Sequence, residues 1–176
     1  MDAIRNRRSV RNYQDNNVSE EVIERVLEAV RWSPSWANTQ CWEIVVVRDP
    51  AVKLKLQESL LKGNPASRSI VEAPVVLAVC GRLHAAGYYK GQVTTKFGDW
   101  FMFDLGIATQ SLCLAAYDEG LGTVIVGLLD HAKAGEALQA PSGYEVVALI
   151  PIGYPVKSAP TPNRRKISEF IHHDRF

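Results

Sequence analysis

The 176-residue sequence contains few cysteines and no long hydrophobic run. Its three cysteines, Cys41, Cys80 and Cys113, are widely separated and form no Cys-x-x-Cys pair, so they are expected to be buried thiols in a reducing compartment. Apolar runs such as residues 75–80 are too short to cross a bilayer, and no apolar segment follows the N-terminus as a signal peptide would require. These absences predict a cytoplasmic protein.

The sequence also lacks an excess of either charge. Its 20 lysines and arginines nearly balance its 19 aspartates and glutamates, which leaves a formal net charge of +1. Such a balance does not attract nucleic acid or membranes through the overall field, so neither is expected as a partner and any functional charge must be local. Apolar residues make up 47% and charged residues 22%, which is typical of a globular domain and argues against disorder, collagen or coiled coil.

Several catalytic signatures are missing as well. No Gly-x-Ser-x-Gly sequence is present, so the nucleophile elbow of a hydrolase is not expected. His172 and His173 precede Asp174, but adjacent histidines point apart in most backbones and no His-x-x-x-His pair supports them, so no metal site is predicted. Asp99 and Asp104 are expected at the polar rim of an otherwise apolar helix, and not as a carboxylate dyad.

The hydrophobic pattern that is present predicts a single α+β domain. Ser19 is a suitable N-cap for a helix whose apolar residues, from Val22 to Val30, recur at helical spacing. Further helices are expected at residues 51–62, 97–118 and 131–138, and strands at residues 43–47, 75–80, 123–126 and 145–152. The first two strands should be buried, and the 97–118 helix, which is apolar on nearly every side, should be the central buried helix.

Two segments fall outside this pattern. Residues 82–96 show no clear period and are expected to form a long loop, of the kind that often serves as a lid or binding loop. The tail from Tyr154 contains three prolines, which favour an extended arm, and residues 167–173 are expected to close it as a turn or strand. The single domain therefore divides into a core, residues 1–153, and an arm, residues 154–176.

The first candidate binding motif is Arg7-Arg8-Ser9-Val10-Arg11. Forked guanidiniums and a neighbouring hydroxyl match the oxygens of a phosphate dianion. The alternatives are a solvated basic end and a nucleic-acid patch, and the balanced net charge disfavours the second. The run Arg164-Arg165-Lys166 in the arm is either solvated or completes a phosphate site begun by Arg7.

The second candidate is the segment Ser-Pro-Ser-Trp-Ala-Asn-Thr-Gln-Cys-Trp at residues 33–42, between a predicted helix and a predicted strand. The side-chain amides of Asn38 and Gln40 both donate and accept hydrogen bonds, so they can read the edge of a heterocycle. The alternative is an ordinary capped turn. Trp36 and Trp42 are expected to be packing residues.

The third candidate is the glycine-rich stretch at residues 120–127. It resembles a dinucleotide fingerprint only superficially, because its glycine spacing differs and it follows a helix and opens a strand, so a Rossmann fold is rejected. Gly127 is better explained by a backbone that a flat ligand approaches closely.

In their order and spacing these motifs resemble the nitroreductase family of flavoproteins, over essentially the whole of residues 4–176. The most specific parts are residues 7–11, the pattern Pro34-Ser35-x-x-Asn38-x-Gln40-x-Trp42, and residues 104–127. Residues 151–155 and 164–175 add to the resemblance. The sequence departs from the pattern at Cys41, where the family usually has proline.

The resemblance implies an α+β sandwich in which a central, mostly antiparallel sheet is flanked by helices. It also implies a homodimer in which the C-terminal arm, residues 154–176, is exchanged and wraps the partner subunit. Two FMN molecules would lie at the subunit interface. This arrangement gives the arm a surface to pack against, which its own core does not obviously offer.

The resemblance further implies which residues hold FMN. The phosphate and ribityl end would be held by Arg7, Arg8, Ser9, Arg11, Arg164 and Arg165. Ser35, Asn38 and Gln40 would reach the flavin from the other subunit, while Val126 and Gly127 would lie against the isoalloxazine with a backbone N–H aimed at its N5 atom. Asn64 and Arg68 are looser matches to positions that contact flavin or nicotinamide.

The activity implied is that of an FMN-dependent oxidoreductase, with NADH or NADPH as reductant and a nitroaromatic, a quinone or a similar small molecule as acceptor. One shared site predicts ping-pong kinetics, and no catalytic side chain is expected because the flavin carries the chemistry. The alternatives are another flavin enzyme on the same fold, such as a dehalogenase or a flavin-fragmenting oxygenase, and a flavin-binding redox sensor or carrier without turnover. A basic-armed nucleic-acid binder is disfavoured by the net charge of +1.

Overall fold

The computed structural model describes residues 1–157 and 159–176. Its centre is a four-stranded antiparallel sheet in the order β1-β2-β6-β5, and β3 and β4 form a separate hairpin. In chain order the strands are β1 (Trp42–Val47), β2 (Val75–Arg82), β3 (Tyr88–Tyr89), β4 (Gln92–Val93), β5 (Gly122–Thr123) and β6 (Tyr144–Gly153). Helices cover both faces, which confirms the predicted α+β fold.

The helices divide between the two faces of the sheet. In chain order they are α1 (Asp2–Asn6), α2 (Glu20–Arg31), α3 (Pro50–Glu58), α4 (Ser67–Glu72), α5 (Phe101–Asp118) and α6 (His131–Leu138). One hydrophobic core joins α2 and α5 to one face, and a second joins α3, α4 and α6 to the other.

Strand β2 shows how one sheet serves two cores. Val75, Leu77 and Val79 belong to the α2–α5 core, while the alternate residues Val76 and Ala78 belong to the other core. Successive side chains of a strand point to opposite faces, so a strand covered on both sides is apolar throughout. The continuous apolar run that predicted a buried strand here has this origin, and that prediction is confirmed.

Helix α2 begins where the sequence predicts. The side chain of Ser19 accepts a hydrogen bond from the Val22 N–H, and Ile23, Val26 and Val30 are buried on one face. A hydroxyl at the N-cap satisfies an N–H that has no partner within the helix, which is why this start could be identified from the sequence.

Helix α5 is the predicted central helix, but it begins at Phe101 instead of residue 97. The Asp99 carboxylate accepts the Phe101 N–H at 3.2 Å, and Gly98, with a φ of 71°, turns the chain just before it. The prediction of burial on nearly every side is wrong for the first turn, where Met102 and Phe103 are exposed.

Strand β1 corrects another prediction. Residues 43–47 were expected to be buried, yet Val45 and Val46 are 38% and 37% exposed. Among the described strands β1 pairs only with β2, so it forms an edge of the sheet. An apolar run alone does not reveal how many neighbours a strand has, which explains the error.

Other features of the secondary structure also differ from the prediction. Helix α3 ends at Glu58 and not at residue 62, because the Ser59 hydroxyl donates to the Leu56 carbonyl at 2.6 Å and the chain turns there. The strand expected at residues 123–126 pairs only over Gly122–Thr123 and touches β6 again at Val126. Residues 82–96, expected to be a loop, contain the β3–β4 hairpin, and helix α4 was not predicted.

The C-terminal arm leaves the core near residue 156. The Val156 N–H donates to the Asn12 carbonyl at 3.2 Å, and every described residue from Pro160 onward is exposed. A short 3₁₀ turn at Ile167–Glu169 fits the turn expected near the end. The arm carries large apolar side chains that this chain leaves uncovered, among them Phe170 and Phe176. None of the described helices has the length and apolar character needed to span a membrane.

Candidate functional site

Residues 7–11 form one wall of a cavity of about 340 Å³, termed here the arginine cavity. The arm forms the opposite wall and contributes Arg164. The described lining residues include no aspartate or glutamate; they are Arg7, Arg8, Ser9, Arg11, Ala159, Pro160, Pro162 and Arg164. The structure thus brings together two arginine runs that lie more than 150 residues apart, and the cavity suits an anion.

The wall at residues 7–11 is fixed to the core through its backbone. The Val10 N–H donates to the Thr123 carbonyl at 2.9 Å, so this segment lies alongside β5. The Tyr13 hydroxyl donates to the Val10 carbonyl at 2.8 Å, and the Ser69 hydroxyl donates to the Arg11 carbonyl at 3.0 Å. Burial raises the pKa of Tyr13, which keeps its hydroxyl protonated as a donor.

Tyr13 and Ser69 were not identified from the sequence. Both act on the backbone of the basic segment, and such contacts leave no pattern of residue types that a motif search could detect. Ser69 lies on α4, the helix that the sequence analysis also missed.

The arginines of the cavity differ in whether their guanidinium N–H groups already have acceptors within the chain. Arg8 donates to the Arg5 and Arg7 carbonyls at 2.6 and 2.8 Å and to the Thr161 hydroxyl at 2.5 Å, so it ties the arm to the N-terminal segment. The guanidiniums of Arg7 and Arg11 have no hydrogen bond or ion pair to any described residue. Guanidinium forks without an acceptor are well suited to bind the oxygens of a phosphate.

Arg165 is not brought to the cavity. Its guanidinium pairs with Glu169 four residues along the arm, with Nε 3.8 Å from the carboxylate, and it lies 5.7 Å from the ring of Phe170. Arg68 also has an acidic partner, since it binds the Glu72 carboxylate at 2.5 Å on the exposed side of α4. Neither side chain contributes to the arginine cavity.

A second group of predicted residues meets in the polar loop, defined as residues 35–41. The Ser35 hydroxyl accepts the Gln40 N–H at 2.9 Å, and the Gln40 side-chain amide donates to the Asn38 side chain at 3.3 Å. The exposed amides of Asn38 and Gln40 therefore lie side by side. None of these three residues lines the arginine cavity of the same chain.

The polar loop has an uncommon backbone. Ala37, Asn38 and Gln40 adopt φ values of 44°, 57° and 47°, in the left-handed region that non-glycine residues rarely occupy. Each such residue costs on the order of 1–3 kcal/mol, so the surrounding structure must stabilise this conformation.

Asp104 of α5 supplies part of that stabilisation. Its carboxylate is 1% exposed and accepts the Trp36 N–H at 3.1 and 3.0 Å through its two oxygens. The Cys41 thiol donates to Oδ2 at 3.6 Å. Burial raises the pKa of Asp104, and burial together with the Asp104 charge raises the pKa of Cys41 to about 11, so the thiol stays a donor at neutral pH.

This burial corrects the prediction for Asp104, which was expected at a polar rim. The side chain faces the polar loop, and the loop's own N–H and S–H groups replace water around it. A carboxylate flanked by apolar residues within the predicted helix was the signal that could have identified it, since such groups are buried only when hydrogen-bonded.

The segment that contains Val126 and Gly127 offers one free donor. The Val126 N–H donates to the Leu149 carbonyl at 3.0 Å, and the Val126 carbonyl accepts the Leu149 N–H at 3.0 Å, so neither group is available to a ligand. The Gly127 N–H has no acceptor among the described residues, and a side chain added at Gly127 would meet only open space. The Asn64 side chain donates to the Leu128 carbonyl at 3.0 Å, which anchors the chain just beyond Gly127.

Aromatic residues border the polar loop. Trp36 and Trp100 pack with ring centroids 5.1 Å apart, and both belong to the partly buried margin of the α2–α5 core, as expected for Trp36. Phe103 lies 5.2 Å from Trp100 and is 60% exposed. The Arg82 side chain donates to the Thr39 carbonyl at 3.2 Å. A hydrogen bond therefore joins the end of β2 to the polar loop.

Comparisons with known proteins agree on one family. A sequence model described as "Nitroreductase family" matches residues 4–154. A protein of Methanothermobacter thermautotrophicus, provisionally named NADH dehydrogenase/NAD(P)H nitroreductase, is 30% identical over 92% of this chain and 80% of its own. The "FMN reductase [NAD(P)H]" of Bacillus subtilis is 31% identical over 94% of this chain and 69% of its own.

Solved structures extend the agreement to the fold. A Parabacteroides distasonis protein with the same provisional name superposes with a TM-score of 0.84 at 27% identity, over 99% of this chain and 97% of its own. Relatives of similar identity also carry other names. They include a 5,6-dimethylbenzimidazole synthase from Rhodospirillum rubrum at 29% and an iodotyrosine deiodinase from Mus musculus at 28%.

Proposed function

This chain belongs to the nitroreductase family, and from that membership we propose that it uses NADH or NADPH to reduce nitroaromatics, quinones or similar small molecules. The family and the named relatives make it an NAD(P)H-dependent flavin oxidoreductase with FMN as cofactor. The acceptor class is our inference. The observation that carries the assignment of the site is the arginine cavity, where basic residues from both ends of the chain meet without an acidic neighbour among the described lining residues.

The donors of the arginine cavity fit the phosphate end of FMN. Arg7 and Arg11 have free guanidiniums, Arg164 faces them from the arm, and Ser9 adds a hydroxyl. Arg8 contributes positive charge while its donors hold the arm in place. A phosphate dianion would provide the acceptors that this group of donors lacks. Arg165, which is paired within the arm, has no such role in our proposal.

The flavin ring is assigned to the other end of the same segment. Residues 123–127 run from the wall of the arginine cavity to the free N–H of Gly127, a span of at most roughly 14 Å for an extended chain. The Gly127 N–H would donate to the flavin N5 atom, and the backbone of Val126 would support the ring. Asn64 fixes this segment through Leu128.

We propose that the site is completed in a homodimer. Ser35, Asn38 and Gln40 lie outside the arginine cavity of their own chain, so they would reach the flavin held by the partner. The arm, exposed along its whole length from Pro160, would cover the partner subunit with its apolar side chains. A partner surface best explains why one extended segment exposes so many apolar side chains.

The protein's part in the reaction is binding and orientation. Bound FMN supplies the redox chemistry, transferring reducing equivalents from the nicotinamide to the acceptor. Guanidiniums fix the phosphate, and the Gly127 N–H is a preorganised dipole where negative charge would develop on reduction. No protein acid or base is needed because water can supply protons. Arg68, which is 84% exposed, would be accessible to the phosphates of the nicotinamide nucleotide.

Reductant and acceptor would occupy the same surface in turn, which gives ping-pong kinetics. Both would dock beside the polar loop and the aromatic rings of Trp100 and Phe103. We also infer a cytoplasmic location, since the three cysteines are buried free thiols that a reducing compartment preserves.

The visible absorption spectrum of the purified protein tests the proposal. A flavin spectrum that bleaches when NADPH is added without oxygen, and recovers when a nitroaromatic or quinone follows, would support it. A flavin that bleaches but never passes electrons to these acceptors would argue for the activities named for the deiodinase or benzimidazole synthase relatives. A flavin that no nicotinamide reduces would favour a redox carrier.

A further inference from the structure

The two ends of the polar loop are both held by one side chain of α5. We infer that Asp104 is a positioning residue for FMN: its carboxylate closes the polar loop and thereby presents Asn38 and Gln40 to the cofactor. This inference rests on the proposed function, because it takes the loop to be part of the flavin site. Asp104 itself contacts neither cofactor nor substrate in this account.

The contacts define a closed ring of chain. The Trp36 N–H at one end of the loop donates to both Asp104 oxygens, and the Cys41 thiol at the other end donates to Oδ2. Between these two points lie all three left-handed residues of the loop. The backbone that presents the amides is therefore bounded on each side by the same buried group.

The charge of Asp104 has no cationic partner among the described residues. Among the described residues, its hydrogen-bond donors are the N–H and S–H groups of the loop, and the charge that acts on its pKa, that of Asp99, is also negative. A buried carboxylate in these surroundings is retained at a cost to folding. Hydrogen bonds to an ionised acceptor are stronger than those to a neutral one, so the charge stabilises the loop.

Cys41 contributes in two ways. Its thiol supplies the second donor, and it leaves Gln40 free to adopt a φ of 47°. A proline at position 41 would disfavour this conformation, because the residue before proline is restricted to extended backbone. In this chain the hydrogen bond from Cys41 to Asp104 therefore restricts the backbone of the loop. A proline ring at position 41 would restrict it in a different way.

The test compares Asp104→Asn with Asp118→Asn, which removes the same charge from an exposed carboxylate at the other end of α5 and leaves the polar loop unchanged. Asparagine replaces one of the two carboxylate oxygens with an NH₂ group. That NH₂ group would face another donor, either the Trp36 N–H or the Cys41 S–H. We expect Asp104→Asn to weaken FMN binding to the apoprotein roughly tenfold in a fluorescence titration. Its apoprotein melting temperature should be unchanged or higher, because a buried charge has been removed. Asp118→Asn should bind FMN as the parent does.

Substitutions of Cys41 provide a second, independent measurement. Cys41→Ser keeps a donor and should retain FMN affinity, whereas Cys41→Ala should lose several-fold and Cys41→Pro more. Amide hydrogen exchange at Trp36 needs no flavin; it should be faster in Asp104→Asn and Cys41→Ala than in the parent.

The outcomes are distinguishable. A parent protein that fails to bind FMN contradicts the proposed function, and the exchange measurement still tests the loop. Unchanged FMN affinity in Asp104→Asn and Cys41→Ala, or a loss of affinity matched by an equal loss of apoprotein stability, would overturn the positioning role.

Discussion

At the scale of single residues, function depends on donors that the fold leaves without partners. Arg7 and Arg11 are basic groups that pair with no described residue, whereas Arg25, Arg31, Arg48 and Arg68 all bind carboxylates. The sequence could suggest a phosphate site in this region as a hypothesis, because the arginine spacing is visible. It could not predict which arginines are committed elsewhere, since ion pairs such as Arg165–Glu169 depend on conformation.

The phosphate assignment predicts a ligand-specific effect of Arg7→Ala. FMN affinity should fall about tenfold, because a charge-assisted hydrogen bond to the phosphate is lost. Riboflavin, which lacks the phosphate, should bind the variant and the parent equally, and both are measured by quenching of flavin fluorescence. Arg31→Ala serves as the control, since Arg31 is exposed and paired with Glu28. Equal losses for FMN and riboflavin would contradict the assignment.

The buried thiols predict a loss of stability in mild alkali. Burial raises the pKa of Cys80 from 9.0 to about 11. Between these values the unfolded chain loses its proton while the folded chain keeps it, so the free energy of unfolding should fall by about 1.4 kcal/mol per pH unit for this thiol. Urea unfolding at pH 8 and pH 10 should show a smaller drop for Cys80→Ala. Parallel curves for parent and variant would refute this.

At the scale of elements, α4 links stability to the site. Its C-terminal carbonyls, at Val71 and Ala73, accept hydrogen bonds from the buried ammonium of Lys53 at 3.3 and 2.9 Å, and its Ser69 supports Arg11. The helix is short and has no side-chain cap at its N-terminus. Its position therefore depends on a lysine from the neighbouring helix.

Replacing Lys53 with methionine should destabilise the protein by about 1–3 kcal/mol, because two helix-terminal carbonyls lose their donor. FMN affinity should fall as well, since the support for Arg11 is weakened. Lys55→Met, an exposed change on the same helix, is the matched control and should alter neither urea stability nor FMN binding. Similar stability of the two variants would show that the buried ammonium is dispensable.

Helices and strands could be predicted from the sequence where residues close together in the chain determine them. The α2 start and the α6 bounds were correct because capping residues mark them, and β2 and β6 because they are long and apolar. The errors have a common origin in tertiary structure. β1 is exposed because it lies at an edge, α4 depends on Lys53, and Asp104 is buried because the polar loop folds over it.

At the scale of the whole molecule, the core is buried within one chain, whereas the arm leaves its large apolar side chains exposed. A truncation after Pro155 should lower both dimer stability and FMN retention, because it removes the apolar arm and Arg164 together. Phe170→Ser separates the two effects, since it keeps Arg164 and removes an apolar side chain of the arm. Sedimentation velocity and the flavin content after gel filtration measure them. A truncated protein that stays dimeric and yellow would exclude the proposed role of the arm.

The edge position of β1 has a consequence for the folding of the newly made chain. Its outer backbone groups pair with no described strand, and its C-terminal half exposes the adjacent valines Val45 and Val46. Such an edge is a template for intermolecular pairing. Newly made chains should therefore face a kinetic competition between folding and aggregation, and refolding yield should decline as protein concentration rises.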